Sequence, residues 1–252
     1  MHKDPTESSR IPKRTEAAES RLSAMMRKSP IPDAGLAENA ALFMPPRSLK
    51  RLLFMDELYR EALAVHGIIM EFGTRFGRNI AIFDGLRAIY EPFNVRRDLV
   101  CFDTFEGFPS IHTYDGVDPM IVPGGLATPP GYERELEDIM VQRQELDPLP
   151  DLKRFTILKG DAPEQLAVYL QAHPQTIVAL AYFDMDIYAP TKNCLELLKN
   201  HVTKGTVIGF DELCSFEAPG ETLALKDVYP LNTIRIRRSV RYSGQPSYFT
   251  VE

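Results

Sequence analysis

Glu71, Gly73 and Gly77 follow an apolar run at residues 67–70 in the pattern E-x-G-x-x-x-G. Glycines in the turn after a buried strand allow the backbone to approach a nucleoside at the carboxyl end of a parallel sheet. The pattern lacks the tight G-x-G-x-x-G turn that packs a pyrophosphate onto a helix N-terminus. It therefore favours a cofactor without phosphates, such as S-adenosylmethionine, over NAD. A purely structural glycine turn is the alternative.

Two further acids lie where predicted strands end, and both can contact a nucleoside. Asp103 ends the second strand about thirty residues past the glycine turn, where a carboxylate can accept both ribose hydroxyls. Phe105 could lie against a purine face, although an N-cap aspartate followed by a core phenylalanine explains the same residues. Asp161 follows the third strand and could either accept a hydrogen bond from the adenine amine or cap the next helix.

Acidic residues also end the fourth and fifth predicted strands. Asp184 and Asp186 follow the fourth strand, and Asp211 and Glu212 follow the fifth. Neighbouring parallel strands place their carboxyl ends about 5 Å apart, so Asp184, Asp211 and Glu212 can converge on one point. Clustered carboxylates raise one another's pKa, and a bound cation removes that repulsion. Oxygen ligands predict Mg²⁺, whereas in the alternative the two aspartates cap helices and Glu212 faces solvent.

Strand and helix patterns alternate along most of the chain and bring these acids to one edge of a sheet. Apolar runs predict strands at residues 67–72, 98–103, 155–158, 176–183, 206–210, 233–238 and 247–251. Helical patterns and start signals predict helices at residues 48–65, 78–90, 132–146 and 163–172, from about 190, and at 221–229. Repeated β-α units predict an α/β fold. The last two strands are predicted to be an antiparallel pair joined by a turn at residues 243–246.

Two segments interrupt this alternation. Residues 1–46 are rich in Lys, Arg, Glu, Ser and Pro, and contain a helical stretch near 15–27. They are predicted to form a flexible extension, with a lid or a dimerisation arm as the alternative. Residues 106–150 form a proline- and glycine-rich insertion closed by a charged helix. Because long ordered loops often cover active sites, this insertion is predicted to shape the substrate pocket of a single domain at residues 47–252.

Composition narrows the functional classes. The 252-residue chain is 44% hydrophobic and 25% charged, which is typical of a soluble globular protein. No apolar run is long enough to cross a bilayer and no secretory signal is visible, so a cytoplasmic protein without a membrane partner is expected. A formal net charge of −6 does not favour a nucleic-acid partner. The three cysteines lack a C-x-x-C pair, which indicates reduced thiols.

With these residues placed, the chain resembles the class I S-adenosylmethionine-dependent methyltransferases. More narrowly, it is similar to the macrocin O-methyltransferase family of natural-product tailoring enzymes. The resemblance is carried by residues 71–77 (EFGTRFG), 103–109 (DTFEGFP), 183–191 (FDMDIYAPT), 205–212 (GTVIGFDE) and 219–222 (PGET). The second and third runs are the specific parts, because the glycine motif is generic to the whole class.

The resemblance implies a Rossmann-like sheet of order 3-2-1-4-5-7-6, with strand 7 antiparallel and helices on both faces. It also implies an O-methyltransferase that acts on a hydroxyl of a sugar or another natural product and forms a homodimer. The residues expected to contact S-adenosylmethionine are Glu71, Gly73, Thr74, Arg75, Asp103, Thr104, Phe105, Gly160, Asp161 and Asp184.

A Mg²⁺ ion held by Asp184, Asp211 and Glu212 is implied as well, but two positions depart from the family pattern. Glu212 replaces the more usual second aspartate, and its additional methylene makes an octahedral Mg²⁺ site harder to form. Ile187 stands where related catechol-type enzymes carry a lysine base.

Methyl transfer to a hydroxyl requires an aligned nucleophile with a lowered pKa. The candidate bases are Asp184, Asp186 and His112, the last in the loop that follows the DTFEGFP run. Two other functions stay open at this point. One is an NAD- or sugar-nucleotide-binding enzyme on a doubly wound sheet, and the other is a non-catalytic binding protein that kept the fold.

Overall fold

A computed structural model describes residues 13–240 and 246–252, and its centre is a seven-stranded sheet of order β3-β2-β1-β4-β5-β7-β6. The strands are β1 (Ile68–Phe72), β2 (Leu99–Asp103), β3 (Phe155–Lys159), β4 (Val178–Phe183), β5 (Val202–Phe210), β6 (Arg237–Arg238) and β7 (Ser247–Thr250). Strands β1 to β5 are parallel, whereas β7 pairs antiparallel with both β5 and β6. The predicted Rossmann-like strand order is confirmed.

The helices of the described residues are α1 (Lys13–Arg27), α2 (Asp33–Leu36), α3 (Pro46–Ala62), α4 (Arg78–Tyr90), α5 (Tyr132–Gln144), α6 (Ala162–Ala172), α7 (Tyr188–Leu198) and α8 (Gly220–Val228). Helices α4 to α8 connect the strands, and these helices pack on the sheet together with α3 from Leu52 onward. Short 3₁₀ turns lie at Ala40–Phe43 and Leu231–Thr233. Among the described residues, no helix combines the length and the apolar character that a membrane crossing requires.

Two hydrophobic clusters pack on opposite faces of the sheet, because successive strand residues point to opposite sides. Met70 and Phe102 belong to the cluster under α6, α7 and α8, and Ile69 and Cys101 to the cluster under α3, α4 and α5. All residues of β1 and β4 are buried, so these central strands are covered on both faces, and Glu71 is their one charged residue. The predicted helices on both faces of the sheet are thereby confirmed.

A row of phenylalanine rings crosses five strands near their ends on the first of these faces. Phe72 stacks between Phe102 and Phe183, at centroid distances of 4.9 and 4.7 Å. Phe210 continues the row at 5.3 Å from Phe183, and Phe249 lies 6.4 Å beyond it. Stacked rings at fixed register hold the ends of neighbouring strands level with one another. The acids that directly follow these rings are therefore brought to one edge of the sheet.

Some element bounds differ from the prediction. Strand β5 begins at Val202 instead of Thr206, since Val202 pairs with Val178 and the N–H of Gly205 donates to Val251 (2.7 Å). The exposed Thr203 and Lys204 and the half-buried Gly205 separate Val202 from the apolar run, which hides the start of the strand in the sequence. The predicted strand at residues 233–238 contracts to two residues, and the predicted turn at 243–246 lies almost entirely outside the described residues.

The chain divides after Arg51 into two compact units. In the first unit, α1 is tied to the start of α3 by an ion pair between Glu19 and Arg47 (2.5 Å). The second unit contains the sheet and every residue discussed below. The predicted role of residues 1–46 as a flexible or lid-like arm stays a prediction.

A buried arginine network lies at the amino ends of β2 and β3, at the opposite edge of the sheet from the predicted site. Arg87 donates to the carbonyls of Arg97 (3.1 Å) and Arg154 (2.7 Å) and to the carboxylate of Asp84 (2.8 Å). Arg154 in turn pairs with the buried Asp147. These contacts satisfy charges that would be costly to bury alone, so the network is structural.

Candidate active site

A cavity of about 300 Å³ opens at the carboxyl ends of β1, β2 and β4. This volume lies at the lower end of the range for small-molecule sites. The predicted site residues that line it are Gly73, Thr74, Arg75, Asp103, Thr104, Gly160, Asp161, Asp184 and Asp186. Residues that the prediction did not name also line it, among them Asn79, Phe108, Leu126 and Pro190.

Asp103 is held in place by the glycine turn that follows β1. One carboxylate oxygen accepts the N–H of Arg75 (2.7 Å), and the other accepts the N–H of Phe105 (2.5 Å). Burial raises the pKa of Asp103 above its ordinary value, although these N–H groups act in the opposite direction. Each oxygen keeps a lone pair, so Asp103 can still accept hydrogen bonds from a ligand.

Gly73 allows the ends of β1 and β4 to approach each other more closely than any other residue would. Its φ is +89°, and a Cβ built there would lie 1.8 Å from the carbonyl oxygen of Asp184. The backbone N–H of Asp184 donates to Phe72 (2.8 Å), and the N–H of Gly73 donates to Phe102 (2.9 Å). The glycine motif therefore fixes the position of Asp184 beside the cavity.

Glu71 is a buried carboxylate directly beneath this turn. Its side chain is 2% exposed, and within residues 13–240 and 246–252 neither carboxylate oxygen has a hydrogen-bond partner. Burial, followed by the charge of Asp184, raises the pKa of Glu71 well above its ordinary value, and the nearby side chain of Asn79, which forms no well-aligned hydrogen bond with it, acts in the opposite direction. A buried acid without a partner is costly, and a cationic group bound in the cavity would reduce that cost. Glu71 therefore fits a cofactor that carries positive charge.

Asp184 and Asp186 present a second pair of acids to the cavity. Asp184 accepts a hydrogen bond from the side-chain amide of Asn79 (3.2 Å), and Asn79 lies in the first turn of α4. Asp186 has a φ of +62°, a left-handed conformation that is uncommon for residues other than glycine. Strained backbone of this kind is concentrated at functional sites.

Asp161 occupies the N-cap position of α6 and lines the cavity. Its side chain forms no capping hydrogen bond with any described residue of that helix. Burial raises its pKa, and the nearby Glu164 adds to this effect. The hydrogen bonds of Asp161 therefore give no support to the alternative that this side chain caps α6. A role of Asp161 in ligand binding stays a prediction.

Five of the predicted residues are not among those that line the cavity of the described chain, namely Glu71, Phe105, His112, Asp211 and Glu212. Phe105 is 3% exposed and packs in the cluster with Leu136 and Met140, so its ring is core in this structure. His112 is exposed and its Nδ1 accepts the N–H of Tyr114 (3.1 Å). Its ring contacts Tyr188 at 4.9 Å, and neither Phe105 nor His112 is among the cavity-lining residues of the described chain.

Asp211 and Glu212 follow β5, next to the loop that carries Asp184. Asp211 accepts a hydrogen bond from the hydroxyl of Tyr182 (2.8 Å), and the N–H of Glu212 donates to Glu221 (3.2 Å). Throughout the described ranges, no three His, Cys, Asp or Glu side chains form a group that could hold a metal ion. The side chains as placed do not fit the predicted Mg²⁺ site, and Mg²⁺ stays a prediction.

Glu221 is the acid that sequence reasoning missed. It is fully buried in the first turn of α8 and accepts N–H groups from the loops after β4 and β5. Burial raises the pKa of Glu221 well above its ordinary value, and the charges of Asp186, Asp184 and Asp211 add to it. The available signal was the PGET run at residues 219–222, which contains Glu221 and is one of the segments that carry the family resemblance.

Comparison with solved structures decides the family. No protein-family model and no curated protein sequence matches the chain significantly. A crystal structure described as CalS11, calicheamicin methyltransferase, is 37% identical, with 99% of this chain and 97% of that chain covered and a TM-score of 0.94. The chain belongs to the class I S-adenosylmethionine-dependent O-methyltransferases.

Two further structures support this assignment to different degrees. The apo structure of CalS11, described as TDP-rhamnose 3′-O-methyltransferase, is 34% identical over 98% of this chain and 99% of that one, with a TM-score of 0.86. The O-methyltransferase NovP, at 17% identity, 80% and 79% coverage and a TM-score of 0.59, supports the fold alone. In this methyltransferase, the cavity at the ends of β1, β2 and β4 is the candidate cofactor site.

Proposed function

We propose that this O-methyltransferase transfers a methyl group to a hydroxyl of a sugar that is attached to a nucleoside diphosphate. The observation that carries the proposal is the similarity, along nearly the whole of both chains, to a structure described as TDP-rhamnose 3′-O-methyltransferase. The sequence prediction of a sugar or natural-product hydroxyl agrees with this acceptor class.

The residues around the cavity suit the adenosyl and sulfonium parts of the cofactor. Asp103, held by two backbone N–H groups, can accept the ribose hydroxyls. Asp184 supplies negative potential beside the glycine turn, and a nearby positive charge would favour the ionised form of Glu71 beneath it. When bound, S-adenosylmethionine supplies an electrophilic methyl group on a positively charged sulfur, and this potential favours that charge over the neutral product.

Asp186 is the proposed general base. It lines the cavity, whereas the candidate His112 lies outside and its Nδ1 is engaged by Tyr114. Asp184, the remaining candidate, accepts a hydrogen bond from Asn79. Asp186 takes the proton of the acceptor hydroxyl while that oxygen bonds to the methyl carbon, and the methyl–sulfur bond breaks to leave neutral S-adenosylhomocysteine.

The acceptor is tested with S-adenosylmethionine carrying a labelled methyl group. We expect transfer to TDP-rhamnose and much less to free rhamnose or to a catechol. Transfer to the catechol alone would overturn the acceptor class. Binding of S-adenosylhomocysteine without transfer to any acceptor would instead favour the non-catalytic alternative, and binding of NADH in its place would favour the dinucleotide enzyme.

The base is tested with two substitutions. Asp186→Asn is expected to lower kcat by about 10²–10⁴-fold, the usual contribution of a general base, with the affinity for S-adenosylhomocysteine unchanged. His112→Ala is expected to retain activity near the wild-type level. The reverse pattern would assign the base to His112.

Three finer predictions belong to the same proposal. Magnesium assistance predicts that exhaustive chelation abolishes activity and that added Mg²⁺ restores it, and full activity after chelation would contradict it. A homodimer predicts about twice the chain mass in sedimentation experiments. A cytoplasmic location is tested by fractionating cells that produce the protein.

A further inference from the structure

Glu221 links the two loops that carry the predicted acids of the site. Its Oε1 accepts the backbone N–H groups of Met185 (3.1 Å) and Asp186 (3.3 Å), and its Oε2 accepts that of Glu212 (3.2 Å). One side chain therefore connects the loop between β4 and α7 to the loop between β5 and α8. It does not line the cavity formed by the described residues, and none of the steps above uses it.

The loop after β4 has a conformation that needs external support. Asp186 is held at a φ of +62°, and Ile187 donates its N–H back to the carbonyl of Met185 (2.7 Å) in a tight turn. Such backbone costs free energy and persists only where surrounding contacts determine it. Glu221 accepts the N–H groups of the first two residues of this turn, Met185 and Asp186.

The start of α8 packs against the same turn without intervening space. A Cβ built on Gly220 would lie 2.5 Å from the carbonyl oxygen of Asp186 and 2.8 Å from the N–H nitrogen of Tyr188. This close approach brings the neighbouring Glu221 within hydrogen-bond reach of the turn. The helix and the strained turn thus behave as one packed assembly.

Stability alone does not account for an acid at this position. Glu221 is fully buried among Asp184, Asp186 and Asp211, so its charge is opposed both by desolvation and by repulsion. An apolar side chain of similar size would avoid both costs, as replacements of buried charges often do. What the carboxylate adds is two acceptors that face three N–H groups on two different loops.

We infer that Glu221 is a positioning residue, whose carboxylate holds the turn at Asp186 and the loop at Glu212 in the arrangement that presents Asp186 to the acceptor hydroxyl. This inference rests on the proposed role of Asp186 as the general base. Its chemistry is purely that of hydrogen bonding, and Glu221 itself exchanges no proton with the substrate.

Glu221→Gln tests the inference because it keeps the side-chain length and loses one of the two acceptors. The amide group that replaces one oxygen is a donor and cannot accept from a backbone N–H. We expect kcat to fall about ten- to a hundredfold, as for small displacements of a catalytic group, with KM for S-adenosylmethionine and affinity for S-adenosylhomocysteine within about twofold.

A matched control is available in Asp147→Asn. Asp147 is also a buried acid, but its contacts are Arg154, Arg87 and the N–H of Leu149, none of which lines the cavity in the described chain. This variant is expected to lose stability while its kcat stays within about twofold of wild type. If Glu221→Gln behaves in the same way as Asp147→Asn, the role is structural and the inference is overturned.

Hydrogen exchange of the wild-type protein keeps the inference testable even if Glu221→Gln does not fold. The amides of Met185, Asp186 and Glu212 should be protected, whereas exchange as fast as in exposed loops would overturn the inference. Failure of the proposed function is distinguishable from this outcome. If Asp186→Asn leaves kcat unchanged, the proposed base is wrong; if it lowers kcat and Glu221→Gln does not, the positioning role alone is wrong.

Discussion

Gly73→Ala is the sharpest test of the close approach between the ends of β1 and β4. The new Cβ would lie 1.8 Å from the carbonyl oxygen of Asp184 and 2.5 Å from its carbonyl carbon. Both atoms belong to backbone, so relief requires the end of β4 to move and cannot come from a side-chain rotation. The residue would also have to adopt a φ of +89°.

The two costs can be separated. A left-handed conformation costs an L-residue about 1–2 kcal/mol, and forced overpacking costs about 1–3 kcal/mol more. Gly73→Ala is therefore expected to lower the free energy of unfolding by about 2–5 kcal/mol. Gly131→Ala is the matched control, because Gly131 has a φ of +83° and a Cβ there would meet nothing within 4 Å among the described atoms. Gly131→Ala should therefore lower the free energy of unfolding by only about 1–2 kcal/mol.

The assays are urea unfolding followed by circular dichroism and calorimetric titration with S-adenosylhomocysteine. Gly73→Ala should also weaken S-adenosylhomocysteine binding by about tenfold or more, since Asp184 and the turn both line the cavity. Gly131→Ala should bind normally. Equal destabilisation by the two substitutions, with unchanged binding in both, would refute the close approach.

Two further predictions concern buried charges. Burial raises the pKa of Glu71, so the folded protein binds the proton of this carboxyl group more tightly than the unfolded chain does. The contribution of Glu71 to stability is therefore greatest below the ordinary glutamate pKa and is lost as pH rises through the raised pKa. The free energy of unfolding should change with pH by at most about 1.4 kcal/mol per pH unit because of this group. Urea titrations at several pH values should show that Glu71→Gln removes this dependence. An unchanged dependence would mean that Glu71 does not cause it. Arg87→Met breaks a buried ion pair with Asp84 and frees two carbonyls, so it should cost about 3–5 kcal/mol of unfolding free energy. Calorimetry should show unchanged S-adenosylhomocysteine affinity in this variant, and a large loss of affinity would mean that the arginine network is not purely structural.

The sheet could be predicted from the sequence because its central strands carry unambiguous signals. β1 and β4 are apolar at every position but Glu71, as strands buried on both faces must be. Acids that directly follow such strands meet at one edge regardless of the intervening loops, which brings Asp103 and Asp184 to one cavity. Strand order itself came from the family resemblance, since local patterns do not determine it.

The positions of Phe105 and His112, at the start of the insertion and within it, could not be predicted from local patterns. The carbonyl of Phe105 accepts both the N–H and the hydroxyl of Thr128, at 3.2 and 2.9 Å, and Phe105 itself has a φ of +58°. These contacts, between residues more than twenty positions apart, turn the ring into the core. The position of His112 is likewise fixed by a distant contact. The carboxylate of Asp115 accepts the backbone N–H groups of both His112 and Tyr188, each at 2.6 Å. No short-range spacing encodes either arrangement.

Glu71 and Glu221 show why an acid-rich site suits this chemistry. Both are buried, both have a raised pKa, and Asp184 contributes to the raised pKa of each. The two glutamates reach Asp184 from different elements, one from the end of β1 and the other from the start of α8. A positive charge placed near Asp184 would stabilise the ionised forms of all three acids at once, whereas a neutral ligand of the same shape would not. A sulfonium bound there would relieve this concentration of acids, which predicts tighter binding of the methyl donor than of its neutral demethylated product.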